Sequence, residues 1–208
     1  MEGTHKTHME RLMAGIEEHL SKGSGMTNDL LERMAYAILG EGGGGSCHFA
    51  GVFAADRLPP DLVSRPRFSF IVNLDPWFDG EEEGETAAAA DDDDEGANNN
   101  KGHFVTVMGY PDCVMFLDSY GMPCKQKHVL AFFRECGRPV ECANVQVQDF
   151  GSVFCGLYAL LFLSYIDVAP DFDLEFYRGK THLHRNDARC VHYLRKVIDW
   201  QSTMPAAE

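Results

Sequence analysis

The residues from Gln146 to Ile166 constrain this chain more than any others. They begin polar and turn-rich, through Asp149, Gly151 and Ser152, and are then apolar without a break from Val153 to Leu163. A loop feeding a segment that is apolar all round predicts a helix buried in a core. The run is too short to span a bilayer comfortably, so no membrane role is expected. Cys155 falls in the first turn of the predicted helix. There the unpaired backbone N–H groups and the helix dipole favour negative charge. A thiol so placed is expected to ionise more readily, and the thiolate is the nucleophile. Gly156 is expected to leave room beside the sulfur for a substrate backbone. A lone Cys on an apolar helix is more often a small buried hydrophobe, so the rest of the chain has to supply the chemistry around it.

A chain of 208 residues with 45% hydrophobic content suits one domain with a sizeable core. No secretory signal is visible at the start, and an intracellular, non-secreted protein is expected. The 7 cysteines are odd in number and follow no regular pattern, so no disulfide framework is predicted. His182, His184, Cys190 and His192 match no standard zinc spacing, and no metal site is expected. The formal net charge of -14 misleads, because ten acidic residues lie between Asp79 and Glu95. The basic stretch 178–196 is a candidate for weak nucleic-acid contact, although without interleaved aromatics it reads first as a solvated face.

Helical spacing predicts helices over 7–20 and from Thr27 to Leu39, the second capped by Thr27 or Asn28 and stopped by Gly40 and Gly42–Gly45. Residues 1–45 are expected to form an N-terminal helical appendage and glycine linker, and 46–208 the main domain. Strands are expected at Phe49–Phe53, Arg67–Leu74, His103–Met108, Cys113–Leu117 and Val140–Val147. Helices are expected over Lys127–Cys136, around 153–166 and from about Asp187 to Trp200. Residues 79–101 are low in complexity and read as a disordered acidic insertion, since nothing there repays ordering entropy by burial.

The hairpin formed by the third and fourth strands matters most. Centring its turn between Tyr110 and Pro111 sets His103 opposite Asp118, and a slip of one or two residues still leaves them at one end. His103, Asp118, Gln148 and Cys155 then match the four roles of acyl transfer. Cys155 is the candidate nucleophile and His103 its base and acid. Asp118 would orient the imidazole. The Gln148 amide with the Cys155 N–H would form an oxyanion hole.

These residues, in this order, resemble an adenovirus-type (adenain-like) cysteine protease, in the wider group that includes the SUMO- and NEDD8-specific proteases. The resemblance covers about Phe49 to Leu163: Phe49-Ala-Gly-Val-Phe, Asp56-Arg-Leu-Pro, Phe70-Ile-Val-Asn-Leu-Asp-Pro, Gly102-His-Phe, Phe116-Leu-Asp-Ser-Tyr-Gly, and Gln148 seven before Cys155-Gly-Leu-Tyr. It implies an α+β, papain-like fold with a central mixed sheet and the nucleophile helix in the core. It implies a viral endopeptidase cutting viral precursor polypeptides at Gly-containing sites during virion maturation, in the host nucleus and the virion. Phe104 stands where the family often has Trp and is the candidate wall of a substrate groove. No cofactor is required by the sequence, and a peptide or DNA activator is implied by the resemblance alone. Ile38-Leu39-Gly40-Glu41-Gly42 fits the family's cleavage pattern, with self-processing after Glu41, although a glycine-rich stretch meets that pattern cheaply and reads first as a plain linker. The alternatives are a deubiquitinase- or deSUMOylase-type isopeptidase, and a catalytically inactive binding relative.

Overall fold

The computed structural model describes residues 14, 26–39, 47–74, 102–167, 174–179 and 181–203. The acidic insertion expected at 79–101, the glycine linker and, apart from Ala14, the helix expected over 7–20 lie outside them. Five strands form one mixed sheet in the order β1 (Phe49–Ala54), β2 (Phe68–Asn73), β3 (Phe104–Gly109), β4 (Val114–Leu117), β5 (Val140–Cys142). The two outer pairings are parallel and the two inner ones antiparallel. The helices packed with it are α1 (Asn28–Leu39), α2 (Lys127–Cys136), α3 (Cys155–Asp167) and α4 (Asn186–Thr203). The chain is thus of mixed α and β class.

Both sheet faces are covered, which explains why β2 and β3 are buried at every position and carry apolar side chains on both faces. On one face Ile71, Phe104 and Met108 join residues of α1, α3 and α4. On the other Phe70, Val72, Val105 and Val107 meet Val129, Phe132 and Phe133 of α2. The alternation along each strand sorts neighbours to opposite faces. Thr106 carries the polar exception on the α3 face, its hydroxyl donating to the Ala159 carbonyl at 2.6 Å. α3 is the central helix, buried continuously from Gly156 to Leu161.

Of the expected N-terminal appendage, α1 packs on the body. Its Leu31, Met34, Ala35, Ile38 and Leu39 are buried and belong to the same cluster as Leu157 and Leu194. Its apolar stripe faces the body because a helix with such a stripe must cover it with something. Thr27 caps α1, accepting from the Leu30 N–H at 3.3 Å. The processing site after Glu41 meets the same obstacle, since Ile38 and Leu39 would have to leave α1 and the core to enter a groove.

The strand expected over Val140–Val147 is shorter, ending at Cys142. Its partner β4 stops at Leu117. Beyond that, Asp118–Gly121 turns, and the Val147 and Gln148 N–H groups both bond the Ser119 carbonyl, at 2.9 and 3.0 Å. No helix among the described residues is long and apolar enough to cross a membrane.

Candidate active site

The hairpin register differs from the expected one by two residues. Thr106 pairs with Leu117 and Gly109 with Val114, which centres the turn between Pro111 and Asp112. Continued past the ladder, this register sets His103 level with Tyr120 rather than Asp118. The consequence is visible in the side chains. The imidazole stacks on the Tyr120 ring, centroids 4.4 Å apart and planes 20° apart, and reaches Asp118 diagonally. His103 Nε2 lies 2.7 Å from Asp118 Oδ1, both side chains being almost fully buried. The same oxygen accepts the Tyr120 N–H at 2.8 Å, so the carboxylate is fixed by the turn that follows it. Gly121 completes that turn at φ +65°, and a Cβ there would meet the Gln146 nitrogen at 2.6 Å.

Cys155 is the first residue of α3, where its N–H has no partner within the helix. Its thiol lies 4.0 Å from the Gly102 carbonyl, one residue before His103. His103 Nδ1 is buried and makes no hydrogen bond at this geometry. Burial works against charge on the imidazole. The hydrogen bond and charge of Asp118, with the neighbouring Cys155 adding to them, outweigh it and push the His103 pKa up to about 9. The ring therefore has one nitrogen anchored on a carboxylate while the thiol acts on it as a second partner. Burial, with the charges at Cys155 and Asp118 adding to it, raises the Tyr120 phenol well above its ordinary value, so the stacked ring stays neutral.

Gly102 has little room for anything larger. A Cβ would fall 1.5 Å from Asn73 Oδ1, a buried atom without a hydrogen bond of its own. Asn73 is held from behind, its Nδ2 donating to Asn28 Oδ1 of α1 at 3.1 Å. Gly156 serves packing too. It is buried, and a Cβ would come within 3.2 Å of Met26 Cβ, so its expected role as room for a substrate is corrected to close contact with the segment before α1.

Gln148 is fully buried. Its Oε1 accepts from the Ser119 hydroxyl at 2.5 Å, and its Nε2 donates to the Ser152 carbonyl and hydroxyl at 3.0 and 3.2 Å. The amide thus points toward the α3 entry loop, but both N–H groups are engaged there at rest. Asn186, at the head of α4, clamps the same loop by donating to the Val147 carbonyl at 2.7 Å. Phe104 is 2% exposed inside the larger core cluster, so the groove-wall expectation is corrected: β3 turns this ring into the α3 face.

The structure therefore brings His103 to Asp118 and both toward Cys155, with Gln148 tied to the loop that precedes the thiol. Sequence reasoning missed Ser119, Tyr120, Ser152, Asn73 and Asn186. Ser119 and Tyr120 were visible as neighbours of Asp118, but their roles depend on a register that strand periodicity does not fix. A cavity of about 600 Å³ opens on the α2 face, lined among others by Cys124, Phe133 and Val140. None of the four candidate residues lines it. Among the described residues no three His, Cys, Asp or Glu side chains are grouped to hold a metal ion. All seven cysteines are free thiols. No protein-family model matches this chain, and no curated protein is similar enough to count as a relative.

Proposed function

We propose that the protein is a cysteine endopeptidase with a papain-like arrangement of the adenovirus type, cutting viral precursor polypeptides at Gly-containing sites. The observation that carries this reading is the divided imidazole. His103 Nε2 sits 2.7 Å from a buried carboxylate, while Nδ1, buried and without a hydrogen bond, belongs to a ring on which the Cys155 thiol acts. A His whose role is only structural has little need of a buried carboxylate on one nitrogen and a thiol at a helix start near the other.

The chemistry follows in balanced steps. His103 Nδ1 takes the Cys155 proton as attack begins, and the Asp118 carboxylate stabilises the resulting imidazolium through Nε2. The thiolate attacks the scissile carbonyl carbon, and the carbonyl electron pair moves onto oxygen. The Cys155 N–H stabilises that oxyanion, joined by Gln148 once one Nε2–H leaves Ser152. The oxyanion collapses, the C–N bond breaks, and His103 gives its proton to the leaving amine, leaving a thioester. His103 then takes a proton from water, whose oxygen attacks the thioester, and the sulfur departs as thiolate beside the imidazolium.

The test is cleavage of peptides containing an aliphatic residue, any residue, Gly, any residue and Gly. Wild-type protein should cut them, and Cys155→Ala should not while keeping its melting temperature. Substantial cleavage by the folded variant contradicts the proposal. Turnover of SUMO- or ubiquitin-type fluorogenic substrates in preference to peptides would reassign the same site to an isopeptidase.

A further inference from the structure

The most exposed of the large hydrophobic side chains described is Phe150, at 61%. A single exposed Phe is ordinary on a protein surface. This one differs in what lies behind it. Its ring packs on Tyr120, centroids 4.9 Å apart, and Tyr120 stacks on His103 at 4.4 Å. Three rings thus form a ladder from the imidazole out to solvent. The middle ring is held at both ends: its N–H bonds Asp118 Oδ1 at 2.8 Å and its hydroxyl donates to the Ser152 carbonyl at 3.4 Å. Phe150 itself stands two residues after Gln148, in the loop that Asn186 clamps. The ladder is therefore an ordered apolar surface, and ordering it in advance removes part of the cost of binding.

We infer that Tyr120 and Phe150 form the subsite for the substrate beyond the scissile bond, selecting an apolar side chain at its second or third position. This rests on the peptidase reading above and adds a substrate class to it. The direction follows from the chemistry. His103 must touch the leaving amine to protonate it, so the departing part of the chain starts at the imidazole. The ladder starts there as well. An extended peptide advances about 3.3 Å per residue, so the two stacking steps, 4.4 and 4.9 Å, bring Phe150 level with the second or third residue beyond the cut. An aliphatic or aromatic side chain there covers an exposed ring, a contact that a glycine or a charged residue does not make.

The test uses the full chain and peptides fixed as aliphatic, any, Gly, any before the cut and varied over the first three positions after it. The quantity read is the ratio of kcat/KM for Leu or Phe over Gly at those positions. Wild type should favour the apolar residue about tenfold at the second or third position. Phe150→Ala should bring that ratio close to one, and Phe150→Leu should restore most of it. A merely structural role for Phe150 would lower all substrates alike and leave the ratio unchanged, which would overturn the inference. So would a wild-type preference for charged residues, or a preference that survives in Phe150→Ala. A methyl ester carrying the same acyl part, whose leaving group has no side chain, separates the two readings. If wild type hydrolyses the ester but shows no apolar preference, only the subsite fails. If it hydrolyses neither ester nor peptides, the peptidase reading fails and the subsite with it.

Discussion

His103 is the residue on which the chemistry and the pH dependence both turn. Burial lowers its pKa, yet its partners Asp118 and Cys155 raise it further than burial lowers it, up to about 9. A folded-state value above the ordinary 6.5 means this group's stabilisation is complete below about pH 6.5 and is lost as pH rises through about 9. The imidazolium is also the acid for the leaving amine, so kcat/KM should fall along an alkaline limb near pH 9. Asp118→Asn removes the charge that raises the ring, and the limb should move to lower pH. A limb that stays in place in this variant would show that Asp118 does not set the imidazole. The same variant should lose less activity than His103→Ala, because an orienting group goes rather than the base. Gly102→Ala should cost at least tenfold in kcat, since a Cβ 1.5 Å from Asn73 Oδ1 forces the chain beside His103 to shift. Unchanged kcat would mean that Asn73 yields freely and that this packing does not position the histidine.

At the scale of elements, periodicity located most helices and strands to within a residue or two. α2 begins and ends where its pattern did, because Gln126 caps it through the His128 and Val129 N–H groups and Gly137 closes it in the left-handed region. Where the sequence misled, a long-range partner decided. Val140 to Val147 has strand composition throughout, yet only Val140–Cys142 pairs, since β4 turns away after Leu117. The hairpin ends were legible, but its register was not. The pleat tolerates a two-residue shift without moving any side chain to the other face, and the Tyr120 stack appears only in the observed register. α1 carried its amphipathic stripe openly, but a stripe does not say which surface it covers. Asn186 is the polar clamp joining α4 to the Gln148 loop, donating to the Val147 and Tyr177 carbonyls and accepting the Tyr177 N–H. Asn186→Ala should destabilise by about 2–4 kcal/mol in denaturant unfolding, because buried backbone groups lose their partners. A change under about 0.5 kcal/mol would mean that the loop is held by something else.

At the scale of the whole molecule, the sheet is a partition: α1, α3 and α4 pack on one face and α2 on the other. The candidate site gathers at the ends of β2, β3 and β4 against the start of α3, so residues distant in sequence become neighbours through strand pairing rather than local chain geometry. That explains why the four candidate residues were legible as an ordered series and their supports were not. Deleting Glu81 to Glu95, whose sequence has no large apolar side chain, should leave the melting temperature within about 2 °C. A drop of more than about 5 °C would show that the segment contributes to the fold.

The central claim is that His103 activates Cys155 for attack, and covalent capture tests it most directly. An electrophilic peptide ending in a Michael acceptor, incubated with native protein and mapped by mass spectrometry, should modify Cys155 selectively among the 7 cysteines. In folded His103→Ala the rate should fall at least about a hundredfold, since the group that takes the thiol proton is gone. Modification spread over several cysteines at ordinary thiol rates, and no slower in His103→Ala, would contradict the account.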